Sequence, residues 1–220
     1  KRRELYEPKT GIWMKNIVAS GWVCADVGAN IGIITDRLAE QVGTTGTVIA
    51  FEPHPENFRR LKVYNKLNIQ KGIVKVENIA VTDGSTDYVW LYPGRDYSAG
   101  EWNIRGCDIN GIETEASLKV SAASLDAFFP EDYKVDLIKI DVEGSGYKVL
   151  AGAKRILQRF RPIIFMEFHT DEEWSSRNIL ISLDYNIYDL NGDLISLDEN
   201  VKREYLCFAI PMEQVIPPTS

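Results

Sequence analysis

The stretch Trp22-Val-Cys-Ala-Asp-Val-Gly-Ala-Asn-Ile-Gly32 decides the fold of this chain. Its first half is a short apolar run, typical of a buried strand, and its second half is a turn with two glycines. Ile34, Leu38 and Val42 then recur at helical spacing, and Gly43 follows as a helix stop. A strand, a tight turn and an amphipathic helix in this order predict the opening unit of a parallel α/β sheet.

The same alternation continues along the chain. Further core strands are predicted over residues 47–52, 73–79, 135–140 and 163–168, and a helix over 147–160. Two more runs, at 88–92 and 117–121, break the alternation and indicate a β insertion before the fourth strand. The Asn191-Gly192 turn between apolar runs indicates antiparallel strands at the end. We therefore predict an α/β, Rossmann-like domain with a mostly parallel seven-stranded sheet that has an antiparallel end.

The predicted domain organisation follows from these elements. We expect a helical lead-in over residues 1–21, a single domain over 22–210 with the insertion at 82–124, and a tail over 211–220. Within the insertion, the glycine-rich segment 93–111 contains Tyr97 and Trp102 and is a candidate lid over an acceptor, because aromatic rings stack on sugars or polyketide rings. An ordinary surface loop is the alternative.

Composition excludes several classes of function. The 220 residues carry a net charge of −7, and 45% are hydrophobic, which excludes wholesale disorder and opposes nucleic acid as the main partner. Three distant cysteines form neither a disulfide framework nor a zinc pattern, so we expect a reducing, cytoplasmic location. No apolar stretch is long enough for a membrane span, and no secretory signal opens the sequence, although the first residue is Lys1 rather than Met.

The glycine turn does not match the dinucleotide template. The pattern G-x-G-x-x-G fails at Asn30 and Ile33, and no phosphate-binding G-K-[ST] motif is present. Glu52 ends the second predicted strand, where a carboxylate accepts hydrogen bonds from ribose hydroxyls, and Asp26 is placed to pair with a ligand ammonium. A ribose at one end and an amino acid at the other describe S-adenosylmethionine better than a dinucleotide.

Several motifs together resemble the FkbM-type methyltransferases. They are Asp26-Val-Gly-Ala-Asn-Ile-Gly32, Phe51-Glu-Pro-His-Pro55, Ser124-Leu-Asp126, Ile138-Lys-Ile-Asp-Val-Glu-Gly144 and Glu167-Phe-His169. The resemblance implies a class I methyltransferase fold that uses S-adenosylmethionine and usually methylates a hydroxyl of a natural product, sugar or lipid. With their chain neighbours, the residues expected to bind the cofactor are Asp26, Gly28, Ala29, Asn30, Gly32, Glu52 and Pro53. The other histidine of the chain, His54, precedes Pro55 at a helix start and is predicted to be an N-cap.

Catalytic candidates follow the fourth and fifth core strands. A hydroxyl acceptor must lose its proton, and His169 at a strand end is the natural base near neutrality, with Glu167 on the same face to orient it. Asp141 and Glu143 reach the same edge, where they bind the cofactor ammonium, an acceptor hydroxyl or, with His169, a divalent metal. The metal is the least favoured of the three. Structural alternatives are a strand-end histidine bonded to backbone, and a helix-capping turn in which Glu143 favours the helix start.

We predict an S-adenosylmethionine-dependent O-methyltransferase acting on a small molecule, sugar, glycan or lipid. The alternatives are an N- or RNA-directed methyltransferase, which the net charge opposes for RNA, and a non-catalytic cofactor-binding module. The sequence leaves the acceptor, metal dependence and oligomeric state open. Finally, Thr170 and Glu173 fit a capping box that opens a helix after the fifth core strand.

Overall fold

The computed structural model describes residues 8–93, 102–103, 117–196 and 206–214. Its helices are α1 (Pro8–Ile17), α2 (Ile33–Val42), α3 (Pro55–Tyr64), α4 (Lys66–Gln70), α5 (Leu125–Phe128), α6 (Gly146–Ala151), α7 (Lys154–Arg159), α8 (Asp171–Ser175) and α9 (Arg177–Ile181). Its strands are β1 (Val23–Val27), β2 (Thr47–Phe51), β3 (Val74–Glu77), β4 (Ala80–Val81), β5 (Tyr88–Pro93), β6 (Trp102–Asn103), β7 (Leu118–Ala123), β8 (Leu137–Ile140), β9 (Ile163–Glu167), β10 (Tyr185–Tyr188) and β11 (Leu206–Pro211).

Seven strands form the main sheet in the order β10-β11-β9-β8-β1-β2-β3. The pairs from β9 through β3 are parallel, and β11 pairs antiparallel with both β9 and β10. The predicted α/β sheet, mostly parallel with an antiparallel end, is therefore confirmed. The chain first extends the sheet from β1 to β3 and then returns to add β8 on the other side of β1, so the strand order reverses between β1 and β8.

This switch point brings distant motifs together. Asp26 on β1 is in register with Lys139 on β8, and Val27 with Ile140. Because the two strands are parallel, the turn after β1 and the loop after β8 leave the same edge of the sheet. Ligands of open α/β sheets bind at this edge.

Helices cover both faces of the sheet, and each face has its own core. Ala25 and Val27 of β1 belong to the larger cluster on one face, whereas Cys24 belongs to the cluster on the other. The lead-in helix α1 is part of the second cluster: Trp13 stacks on Phe208 of β11 with ring centroids 4.6 Å apart. Burial on both sides explains why the central strands are continuous apolar runs.

The insertion strands β5, β6 and β7 join β4, which directly precedes the insertion, in a second, four-stranded sheet in the order β4-β7-β5-β6. Its core includes Val89, Leu91 and Val120. The candidate lid at 93–111 lies largely outside the described residues, which there include only Pro93 and the strand β6. Among the residues that the structure describes, no helix is long and apolar enough to cross a bilayer.

The helix predicted over 147–160 is instead two helices, α6 and α7, that meet at Gly152. At this break a Cβ atom on Gly152 would lie 2.1 Å from the carbonyl oxygen of Thr82, and the carboxylate of Asp126 accepts from the N–H groups of Arg155 and Ile156 at the start of α7. The Asn191-Gly192 turn closes a short antiparallel pair, since Tyr188 bridges to Leu194. Two predicted caps are confirmed, because His54 accepts from the N–H of Asn57 and caps α3, and Thr170 caps α8.

Candidate functional site

The turn after β1 touches the loop after β8, and only a glycine permits this approach. Gly28 has a φ of 77°, and a Cβ atom on it would lie 1.8 Å from the carbonyl oxygen of Asp141. The backbone N–H groups of Gly28 and Ala29 both donate to the carbonyl of Phe51 at 3.0 Å, which ties the turn to the end of β2. The ends of β1, β2 and β8 therefore come together at this turn.

Glu52, directly after β2, is held by two backbone hydrogen bonds. Its Oε2 accepts from the N–H of Asn30 at 2.8 Å, and its Oε1 accepts from the N–H of His54 at 2.9 Å. Burial raises the pKa of Glu52 to about 7, although these two N–H groups lower it. A fixed, desolvated carboxyl of this kind suits a ligand that donates hydroxyl hydrogens.

Gly32 has a structural role in the turn. A Cβ atom on Gly32 would lie 2.4 Å from Cδ1 of Leu61 and 2.3 Å from Nδ2 of Asn65, and the Asn65 amide donates to the Gly32 carbonyl at 3.0 Å. The missing side chain lets α3 pack against the turn. Direct cofactor contact by Gly32 stays a prediction.

Asp26 and Lys139 form a fully buried ion pair beneath the turn. Nζ of Lys139 lies 3.2 Å from Oδ1 of Asp26 and donates to the carbonyl of Gly28 at 2.9 Å. The other Asp26 oxygen accepts from the Thr35 hydroxyl at 2.6 Å. Burial alone lowers the pKa of Lys139, but the carboxylates of Asp26 and Asp141 outweigh it and raise the pKa above its usual value.

The burial of Asp26 changes its expected role. Its side chain has no exposed surface, so a ligand ammonium does not reach it in this conformation. The Asp26 carboxylate instead holds the Lys139 ammonium in place, and Lys139 holds the turn through its hydrogen bond to the Gly28 carbonyl. Sequence analysis did not predict Lys139 as a site residue. The available signal was a charged side chain within the otherwise apolar run of β8.

Asp141, Glu143, Glu167 and His169 meet at the same edge, as their places after β8 and β9 predicted. Nε2 of His169 lies 3.4 Å from Oδ1 of Asp141, and Nδ1 lies 3.5 Å from Oε2 of Glu143. The other Asp141 oxygen is 3.4 Å from Nζ of Lys139. Negative and positive side chains therefore alternate across the site in the order Asp26, Lys139, Asp141 and His169.

The charges around His169 determine its protonation. Burial by itself lowers the pKa of His169, but the hydrogen bond to Asp141 and the carboxylates of Glu143 and Glu167 raise it to about 9. The same interactions, together with Lys139, hold the pKa of Asp141 well below its usual range despite burial. A pKa of about 9 favours the protonated ring at neutral pH, and the role of His169 as a base stays a prediction.

Two pockets flank the turn, and both are open to solvent. The first encompasses about 670 Å³, including space open to solvent. Its lining joins Gly28, Glu52, Pro53, Asp141 and Glu143 with the apolar side chains Ile79, Val81 and Leu91. The second, of about 770 Å³, lies on the other side of the turn and is lined in part by Asn57, Arg60 and Lys139.

The acidic cluster could also contact a cation. One ligand atom each of Asp141, Glu167 and His169 lies within 4.8 Å of the others. Lys139 already places a positive charge 3.4 Å from Asp141, and His169 supplies a second. Two cations of the chain therefore lie against these carboxylates, and we assign no metal to the cluster.

Comparison with known proteins agrees with this geometry. The sequence model of the methyltransferase FkbM domain matches residues 26–200. The chain belongs to the FkbM methyltransferase family. The match covers the turn after β1, Glu52, the acidic loop after β8 and His169, the groups that meet at the switch point.

A curated relative of this FkbM domain is the hexuronic acid methyltransferase AglP of Haloferax volcanii. It is 30% identical over 178 residues, which are 76% of this chain and 66% of AglP. The chain thus spans just under two thirds of the length of that relative.

Solved structures share the class I methyltransferase fold of this FkbM domain. An FkbM methyltransferase from Methylobacillus flagellatus has a TM-score of 0.57 at 19% identity, over 87% of this chain and 44% of the other. Fibrillarin from Aeropyrum pernix, solved with natively bound S-adenosyl-L-methionine, has a TM-score of 0.52 at 13% identity, over 94% and 76%. At these identities the likeness shows the fold.

Proposed function

We propose that this FkbM domain binds S-adenosylmethionine in the first pocket and transfers its methyl group to an oxygen of a sugar or a related small molecule or lipid. The observation that carries the proposal is the position of Glu52, a buried carboxyl on the pocket wall, held by a backbone N–H group of the turn after β1 and by another that follows β2. Membership of the FkbM family supports the reaction class.

The pocket lining matches the parts of the cofactor. Glu52 accepts hydrogen bonds from the two ribose hydroxyls. Both hydroxyls can donate, and the carboxylate has lone pairs beyond those used by the backbone N–H groups of Asn30 and His54. The apolar side chains of Ile79, Val81 and Leu91 provide a surface for the adenine ring. Asp141 lines both pockets and replaces Asp26 as the carboxylate that reaches the ammonium of the amino-acid end.

The acceptor is expected beside His169. When bound, S-adenosylmethionine supplies a methyl carbon whose bond to sulfur breaks as a new bond to the acceptor oxygen forms. The protein has to hold the acceptor oxygen in line and to remove its proton. Neutral His169 takes this proton at Nε2 or Nδ1, and Asp141 and Glu143 stabilise the imidazolium that results. Glu167 adds negative charge behind the ring.

A sugar acceptor follows from the curated relative. AglP is a hexuronic acid methyltransferase, and it shares 30% identity with this chain over 178 residues. The exposed guanidinium of Arg60 at the second pocket would attract an anionic sugar. We therefore place acidic sugars first among the acceptors, ahead of neutral sugars and lipids.

Binding and turnover test the proposal. Calorimetry should show S-adenosylmethionine and its demethylated product binding to the chain, and Glu52→Gln should weaken both about tenfold or more, because an amide donates where the ribose also donates. Glu131→Gln, on the exposed surface, is the matched control and should bind normally. Transfer of a labelled methyl group to a uronic-acid glycan should exceed transfer to its neutral analogue. Absence of cofactor binding by the folded wild type would overturn the proposal.

The same experiments separate the alternatives. A non-catalytic module would bind the cofactor without transferring methyl groups to any acceptor in the panel. An RNA-directed enzyme would label RNA in preference to glycans, which the net charge of −7 opposes. Label that is stable to base but lost on deglycosylation would identify an ether on the sugar and exclude transfer to a nitrogen of the polypeptide.

A further inference from the structure

Helices α3 and α4 form one nearly continuous amphipathic rod. The helical hydrogen-bond pattern continues through their junction: the N–H of Asn65 donates to Leu61 and that of Ile69 donates to Asn65, both at 2.9 Å. Leu61 and Asn65 are buried against the domain. The residues on the opposite side of the rod therefore point into solvent.

Apolar side chains are concentrated on this solvent side. Val63 is 67% exposed, Tyr64 45% and Leu67 69%. Across the described residues, seven large hydrophobic side chains are strongly exposed, and these three lie within one and a half helical turns. Single exposed hydrophobics are ordinary, but a cluster indicates a contact surface.

The charge of the same rod is opposite to that of the chain. Residues 55–71 contain five cations and one acid, a net charge of +4, whereas the whole chain carries −7. Glu56 is paired with Arg59 and Arg60, so the remaining positive charge faces solvent. We define the basic–apolar face by the exposed residues Arg59, Lys62, Val63, Tyr64, Lys66, Leu67 and Lys71.

We propose that the basic–apolar face docks the domain onto an anionic lipid bilayer. Lysines and arginines near the surface are attracted by acidic headgroups, while Val63, Tyr64 and Leu67 enter the boundary between headgroups and acyl chains. The acidic remainder of the domain is repelled by the same headgroups, which orients this face towards the bilayer.

Two other binding partners fit the basic–apolar face less well than a bilayer. A second copy of the chain would place this face against itself in a two-fold dimer, and two surfaces of charge +4 would repel. RNA would satisfy the cations but would gain little from Val63 and Leu67, since phosphate contacts are made by polar groups.

Docking would also place the bilayer beside a pocket. Asn57 and Arg60, on α3, line the second pocket. A bilayer on the solvent side of the same helix would therefore adjoin that opening. The docking proposal does not depend on the methyl transfer proposed above, because vesicle binding is measured without cofactor or acceptor.

Vesicle co-sedimentation of the full chain tests the inference. We expect binding to vesicles of phosphatidylcholine with about one third phosphatidylglycerol, at least tenfold weaker binding to phosphatidylcholine alone, and release at about 0.5 M salt. Both Val63→Ser/Leu67→Ser and Lys62→Gln/Lys66→Gln should weaken binding to the anionic vesicles about tenfold or more. The matched control is Ile12→Ser/Leu194→Ser, which changes two other exposed hydrophobics and should bind normally.

Four results would overturn the inference: no binding of the wild type to anionic vesicles, an equal loss in the control, tighter binding to single-stranded RNA than to vesicles, or a wild-type dimer that Val63→Ser/Leu67→Ser converts to monomer in light scattering. Thermal unfolding confirms that each variant is folded. Calorimetry with S-adenosylmethionine should give the same affinity for all of them, which separates a failure of docking from a failure of the cofactor site.

Discussion

The carboxylate of Glu173 accepts a hydrogen bond from the backbone N–H of His169 at 2.7 Å. Its other oxygen accepts from the backbone N–H of Gly146 at 2.6 Å, at the start of α6. Glu173 is fully buried. One side chain thus joins the loop that carries Asp141 and Glu143 to the strand end that carries His169, and it fixes their separation.

Replacing Glu173 by glutamine should impair catalysis more than cofactor binding. The amide oxygen can accept from only one of the two backbone N–H groups, and its NH2 group faces the other. A lost hydrogen bond to a buried charged group costs about 1.5–3 kcal/mol. We expect Glu173→Gln to unfold at lower urea, to lower kcat about tenfold, and to leave the dissociation constant for S-adenosylmethionine unchanged.

The control for this variant is Glu172→Gln, the exposed neighbour in the same helix. It should behave as the wild type in both assays. A loss of stability in Glu173→Gln with normal kcat would mean that Glu173 supports the fold but does not position His169.

Lys139→Met should destabilise the domain strongly. The change leaves Asp26 and Asp141 without their shared cation, and removing one partner of a buried ion pair costs about 3–5 kcal/mol. The double variant Lys139→Met/Asp26→Asn should recover part of this loss, because it also removes one of the orphaned charges. Urea unfolding measures both. Lys134→Met, which removes an exposed lysine that pairs with Asp136 at the surface, is the control and should cost less than about 1 kcal/mol.

Gly28→Ala and Gly72→Ala separate backbone strain from steric exclusion. Both glycines have a positive φ, 77° at Gly28 and 74° at Gly72. Nothing lies within 4 Å of a Cβ atom at Gly72, so that variant should lose only about 1–2 kcal/mol. Gly28→Ala also pushes the loop at Asp141 away, and it should abolish binding of S-adenosylmethionine in calorimetry. Equal behaviour of the two variants would contradict the close approach.

The rate of methyl transfer to a hydroxyl should rise with pH. With a pKa of about 9, only about 1% of His169 is neutral at pH 7, so kcat/KM should increase about tenfold per pH unit and level off near pH 9. His169→Ala should remove this inflection and lower the rate about 10²–10⁴-fold. His54→Ala, which removes the side-chain cap of α3, should keep the inflection. A flat wild-type profile would exclude His169 as the base.

The raised pKa of His169 also affects the stability of the folded domain. The pKa of His169 is raised in the folded state, so the protonated ring stabilises the domain fully below about pH 6.5, and this contribution is lost as the pH rises through about 9. The stability difference between the wild type and His169→Ala should therefore shrink between these values. Thermal unfolding at a series of pH values measures it.

Local patterns predicted much of this fold because each reports on its own element. The apolar runs of β1, β2, β8 and β9 are buried on both faces, and such strands need no alternation to be recognised. The helix predicted over 147–160 is divided near Gly152, where the carboxylate of Asp126, distant in sequence, accepts from the first N–H groups of α7. A residue pattern within one helix contains no information about that contact.

The site shows the same division. Thr170 caps α8 as the capping-box pattern predicts, since the cap is a contact over three residues. Glu173 does not complete the box, because it accepts from Gly146 and His169 instead. Asp26 was predicted to meet a ligand, yet the register of β1 with β8 places Lys139 against it.

By itself the sequence determined the order of strands and helices, the glycine turn after β1 and the family, because these depend on residue types at short spacing. Tertiary structure decided which charges face each other. The pairing of β1 with β8 buries Asp26 under Lys139 and gathers three carboxylates around His169, and that surrounding field, rather than the residue type, sets the protonation of the ring.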